Sequence, residues 1–114
     1  MKFLNLQVWQ RSVELSAEIY RETAALTDFG FRDQITRSAL SIPSIIAEGY
    51  ERESLRETRR FLDIAKGSTG ELFTQVIVGN KAGLLDDATA QRWQKESEEL
   101  GKMLGGLRKR FLEP

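Results

Sequence analysis

The residues with the most to offer chemically are cations. Arg52, Arg56, Arg59 and Arg60 crowd around one predicted helix start, and Arg108, Lys109 and Arg110 form a second group near the C-terminus. Arg56, Arg59 and Arg60 recur at spacings of three and four, which puts them on one helical face. Clusters of this kind neutralise phosphates, so these seven residues are the candidate nucleic-acid contacts. Glu51, Glu53 and Glu57 lie among the first group and dilute it. The alternative is an ordinary solvated helix surface laced with intrahelical ion pairs.

Other chemistry is poorly supplied. The chain has no histidine and no cysteine. That removes the commonest general base, the commonest transition-metal ligand, any thiolate nucleophile and any disulfide framework. Ser68 lies two positions from Lys66, but residues two apart on a helix do not face each other. Glu48, Asp63 and Glu71 could meet in a helical core and hold a hard cation. The Glu-x-x-His pattern of di-iron bundles is absent, however, and each carboxylate is equally served by solvent or an arginine. No enzymatic activity, metal or cofactor is expected.

The totals place these residues in one folded unit. The chain has 114 residues, 40% hydrophobic and 30% charged, enough for a single domain with one core. Lys and Arg together number 17, as do Asp and Glu, so the formal net charge is zero. A polyanion site must therefore come from local clustering or from assembly. The N-terminus turns polar too early for a signal peptide, and no apolar run approaches the ~20 residues of a membrane helix. The expected location is the cytoplasm, away from membranes.

The elements that must position the cations are helical. Leu6, Trp9, Val13, Ala17, Tyr20 and Ala24 recur at three and four, giving a first helix over about 5–26 with Asn5 as N-cap. Asp28 and Gly30 suggest a turn. A second helix over about 31–48 carries Ile35, Ala39, Ile42 and Ile46 on one face, with Leu40 and Ile45 filling the other, so it reads as buried nearly all round. Pro43 lies inside it and predicts a kink near Ala39 to Ile42, with Ser38 and Ser41 close enough to satisfy the freed backbone. Gly49 reads as the left-handed residue that ends this helix.

Ser54 to Glu57 is a capping box opening a third helix over about 54–83. Its inward residues are Leu55, Phe61 or Leu62, Ala65, Leu72, Val76 and Leu84. Gly67, Gly70 and Gly79 weaken it, by about 1 kcal/mol each relative to Ala, and suggest close approach by another backbone; a short break near Gly67–Gly70 is the alternative. A fourth helix over about 87–112 follows Asp86-Asp87, with Ala90, Trp93, Ser97, Leu100, Leu104, Leu107 and Phe111 in an unbroken heptad. The simplest architecture is all-α: an antiparallel up-and-down four-helix bundle, kinked in helix 2 at Pro43. Trp9, Tyr20, Phe61, Phe73 and Trp93 exceed what one thin core can hold, and such a surplus points to a partner, most simply another copy.

Three stretches also carry a resemblance. "LQVWQRSVELSAEIY" (Leu6 to Tyr20), "FGFRDQITRSALSIPSIIAEGYER" (Phe29 to Arg52) and "RRFLDIAKGSTGELFTQ" (Arg59 to Gln75) resemble, in order, the helices of the bundle proteins encoded in intervening sequences of bacterial 23S rRNA genes. The chain departs from the family pattern at Ile45, where Asn is usual, and at Glu51, where Gly is usual; Gly70 and Phe73 also differ. The resemblance implies an up-and-down four-helix bundle assembled as a five-fold ring. It also implies kinship with the accessory proteins of diversity-generating retroelements, barrel-like pentamers that work with a reverse transcriptase and nucleic acid. No catalytic residues come across with it. The signature positions Pro43, Glu48, Gly49, Tyr50, Gly67, Ser68 and Glu71 read as mainly structural: Glu48 pairs with an arginine or caps a helix, and Tyr50 packs where helices 2 and 3 meet.

The sequence thus points to a non-enzymatic homo-oligomer, a pentamer by resemblance, that touches RNA or DNA through its clustered cations. The rival is a scaffold that docks a protein partner through its surplus apolar surface.

Overall fold

The computed structural model describes residues 1–111. After a 3-10 turn at Lys2–Asn5, the chain forms α1 (Gln7–Thr23), α2 (Phe29–Tyr50), α3 (Leu55–Lys81) and α4 (Asp87–Arg108), then a second 3-10 turn at Lys109–Phe111. The expected end of helix 4 at 112 lies outside the described residues. Short connections make successive helices antiparallel, and the bundle measures 48 × 21 × 21 Å.

Local chemistry sets most boundaries. Asp28 caps α2 by accepting the Phe31 N–H at 3.0 Å. Gly30 therefore sits in the first helical turn instead of in a connecting turn. Ser54 accepts the Glu57 N–H at 3.1 Å, and Asp86 accepts the Thr89 N–H at 2.7 Å. Asn5 caps nothing: it closes the first 3-10 turn, and Leu6, in extended backbone with no side-chain cap, precedes α1.

Gly49 does not end α2. It lies inside the helix without a positive φ. Gly83, at φ 80°, is the residue that takes the left-handed conformation, after α3. There Leu84 N–H bonds to the Gly79 carbonyl at 2.8 Å and Gly83 N–H to the Asn80 carbonyl at 3.1 Å, the paired bonds of a Schellman cap. Gly49 serves close approach instead, since a Cβ there would lie 2.6 Å from the Phe61 Cβ.

The core combines Val8, Leu15 and Ile19 of α1, Ile35, Ala39, Ile42 and Ile46 of α2, Leu62, Ala65, Leu72 and Val76 of α3, and Ala90, Trp93, Leu100 and Leu104 of α4. Each fully buried Leu or Ile contributes about 1.5–3 kcal/mol of transfer free energy. The expected faces of α2 and α4 are the observed ones.

That of α1 is not. Its buried residues are Val8, Ser12, Leu15, Ser16, Ile19 and Thr23, while Trp9, Val13 and Ala17 are half-buried and Tyr20 and Ala24 are exposed. The buried hydroxyls of Ser12 and Thr23 donate to the Trp9 and Ile19 carbonyls, which removes the cost of burying them. Leu40 is exposed, so α2 is not buried all round, and Leu55 is exposed at the start of α3.

α3 runs unbroken past Gly67 and Gly70, where an added Cβ would meet nothing within 4 Å; among the described residues no backbone approaches either. At Gly79 a Cβ would meet the Phe31 ring. Pro43 is buried within an uninterrupted α2. Ser41 donates to the Ser38 carbonyl and Ser38 to Glu71, so neither hydroxyl goes to the carbonyl that the proline frees.

Candidate nucleic-acid interface

The two cationic groups, about fifty residues apart in sequence, meet at one end of the bundle. The start of α3 and the end of α4 lie side by side there. Arg56, Glu57, Arg59, Arg60, Asp63 and Arg108 line a depression of about 500 Å³. The next residues, Lys109 and Arg110, are exposed on the closing 3-10 turn. α2 ends at the same pole and brings Arg52.

The cations differ in how committed they are. Arg52 pairs with Glu48 at 3.3 Å while its guanidinium lies 4.7 Å from the centre of the Phe61 ring. Arg60 pairs with Glu57 at 3.4 Å and stacks on the same ring at 5.3 Å. Arg108 is salt-bridged to Asp63. Among the described residues, Arg56, Arg59, Lys109 and Arg110 form no salt bridge. Three of the seven are therefore tied to carboxylates and four are available to a ligand. Phe61 orients two of them from beneath, and Gly49 lets that ring sit close.

Tyr50 packs edge-on against Phe111 at 5.6 Å, which joins the end of α2 to the turn after α4. Burial pushes its hydroxyl above the usual tyrosine value, and the nearby Arg110 charge works against that.

The remaining signature residues do not form a site with these. Glu48 is held by Arg52, as expected, and Glu71 accepts the Ser38 hydroxyl at 2.7 Å. Ser68 donates back to the Ile64 carbonyl, and Gly67 faces open space. Glu48, Asp63 and Glu71 each have a separate partner. Among the described residues no group of three or more carboxylates is placed to hold a metal ion.

One feature escaped the sequence reading. α1 packs extensively on α2 but only sparsely on α4. The seam between α1 and α4 opens into a groove of about 740 Å³ over Leu15 and Trp93. Charges bridge it: Arg11 pairs with Glu96 at 2.5 Å, and Arg92 reaches Glu18 at 3.1 Å and Glu22 at 3.3 Å. The hydrogen bond to Glu96 raises the Arg11 pKa above its ordinary value. The signal was the Glu14-Glu18-Glu22 ladder at spacings of four, facing Arg92 and Lys95 of an antiparallel neighbour.

No helix among the described residues is long and apolar enough to cross a membrane. No curated protein matches the chain in sequence. A solved structure from Bacteroides thetaiotaomicron VPI-5482, a protein of unknown function from the S23 ribosomal protein family, shares the fold. It superposes with a TM-score of 0.83 over 90% of this chain and 98% of its own, at 23% identity. The family model for the 23S rRNA-intervening sequence protein matches residues 4–106. With nearly the whole described chain inside that match, the protein belongs to the 23S rRNA-intervening sequence protein family.

Proposed function

We propose that this chain is a non-enzymatic, self-assembling bundle whose basic pole holds the phosphate backbone of nucleic acid. The observation that supports this reading is the convergence of Arg56 and Arg59, both free of salt bridges among the described residues, with Arg108 around one depression. Guanidinium groups neutralise phosphates and present paired donors to them. A ring, of five copies by the resemblance, repeats the pole once per subunit and builds a strong local field in a protein of zero net charge. Contacts of this kind read shape and charge and carry no base sequence by themselves.

A gel-shift series with RNA and DNA at rising salt tests it. Binding should weaken along a log–log slope of about 0.9 per duplex phosphate neutralised. The double substitution Arg56→Gln with Arg59→Gln should weaken binding and flatten the slope by about 2. Absence of binding at low salt, or an unchanged slope in the double variant, overturns the reading.

A further inference from the structure

We infer that the phosphate site does not stop at the pole: one strand of nucleic acid lies lengthwise in the seam between α3 and α4, and Lys66 is its farthest contact. This rests on the phosphate reading proposed above and gives the ligand a direction and a further residue.

Lys66 continues the row that the depression begins. On α3, Arg56, Arg59, Asp63 and Lys66 follow at intervals of three and four, which keeps them on one helical face. α4 joins the row at Asp63, through the salt bridge from Arg108. About one turn back along α4, Gly105 lies beneath Lys66. A Cβ there would sit 3.3 Å from the ammonium nitrogen and 3.8 Å from Cε. The lysine thus reaches across the seam, and its charge stands over bare helix. Arg56 and Lys66 are separated by about 15 Å along α3.

That charge is uncommitted. Lys66 is exposed and, among the described residues, forms no salt bridge. The carboxylates nearest to it on α3 are occupied elsewhere, Asp63 by Arg108 and Glu71 by the Ser38 hydroxyl. On α4, Glu98 is held by Lys102 at 3.6 Å. The ground around the ammonium also lacks side chains. Gly67 and Gly70 fall on the same outer face of α3, and Gly106 follows Gly105 on α4. A Cβ at any of these three would meet nothing within 4 Å. A sugar–phosphate backbone can come down close to the helices there.

The row also has an end. Beyond Lys66, α3 carries a single ionisable residue, Glu71, as far as Asn80. A file of cations with uncharged helix ahead of it fits successive phosphates of one strand. A strand crossing the pole at right angles to the helices would miss Lys66.

Salt titrations with a single-stranded oligothymidylate test this. Lys66→Gln should weaken binding and lower the log–log slope by about 0.7, one single-strand contact. Lys66→Arg keeps the charge and should keep the slope. Lys81→Gln removes the same charge from the far end of α3 and should leave the slope unchanged. Circular dichroism checks folding. If Lys66→Gln does not fold, Gly106→Glu replaces it, sets a carboxylate beside the seam and should weaken binding. A wild-type slope in Lys66→Gln, or an equal drop in Lys81→Gln, overturns this inference. The pole reading then still stands if Arg56→Gln with Arg59→Gln flattens the slope. A wild type that binds no strand at low salt, or a slope that falls in Lys66→Gln but not in the double variant, overturns both.

Discussion

The Trp93 indole N–H donates to the Glu18 carboxylate at 2.7 Å, with the ring fully buried in the core and the carboxylate at the mouth of the α1–α4 groove. The bond satisfies the only polar atom of a large buried side chain and anchors the thin seam between the two helices. Glu18→Ala would strand that donor and should lower stability by about 1–3 kcal/mol. Glu18→Gln keeps an acceptor in reach and should cost less. Urea unfolding followed by tryptophan fluorescence checks the ordering; equal losses for both variants would count against a role for the bond.

Glycines with opposite surroundings should respond oppositely to alanine. Gly49→Ala forces a methyl to within 2.6 Å of the Phe61 Cβ and should cost about 1–3 kcal/mol, while disturbing the ring that orients Arg52 and Arg60. Gly106→Ala faces open space inside α4 and should stabilise by about 1 kcal/mol. Thermal melts read both directly.

Asp63 competes with any phosphate for Arg108. Asp63→Asn should therefore tighten polyanion binding and steepen its salt dependence by about 0.9 in slope, the signature of one added contact. Both partners are partly exposed, so folding stability should change by less than about 1 kcal/mol. Tighter binding with an unchanged salt slope would mean that Arg108 gains no phosphate.

Asp86 makes part of the stability depend on acid. Its hydrogen bond to the Thr89 N–H holds the carboxyl below its usual value of 3.8. The unfolded chain takes up the proton first as pH falls, so this stabilisation is present above the usual value and is lost as pH drops through the lower folded one. Asp86→Asn caps without titrating. Urea midpoints at neutral and acid pH should show the wild type losing ground to Asp86→Asn on acidification; a constant difference between the two would refute the linkage.

How far the sequence could be read depended on what each residue type signals. The faces of α2 and α4 were legible because Ile35, Ala39, Ile42 and Ile46, and then Trp93, Leu100 and Leu104, are both apolar and buried. In α1 the signal inverted. Ser12, Ser16 and Thr23 score as polar, yet Ser12 and Thr23 satisfy their own hydroxyls on the preceding turn and become core. The more apolar stripe was left at the margin, with Leu6 and Trp9 packed against the core and Tyr20 and Ala24 exposed. Gly49 looked like a helix end because glycine commonly ends helices, but the demand there was for space under Phe61. The cationic residues were legible as two groups. Their meeting around one depression was not, since it depends on how the start of α3 aligns with the end of α4.

The sparse seam between α1 and α4 has a consequence for how the chain acquires its structure. α2, α3 and α4 pack in sequence along their lengths, and α1 joins chiefly through α2, with ion pairs bridging to α4. A helix held mainly by one neighbour opens more readily than helices packed on two, and is protected last. Synthesis runs in the other direction, because α1 leaves the ribosome first and Trp93 and Arg92, which hold its far edge, are made some seventy residues later. Of these four helices, the one made first is thus the last to be locked, and its amides should exchange with solvent fastest among them.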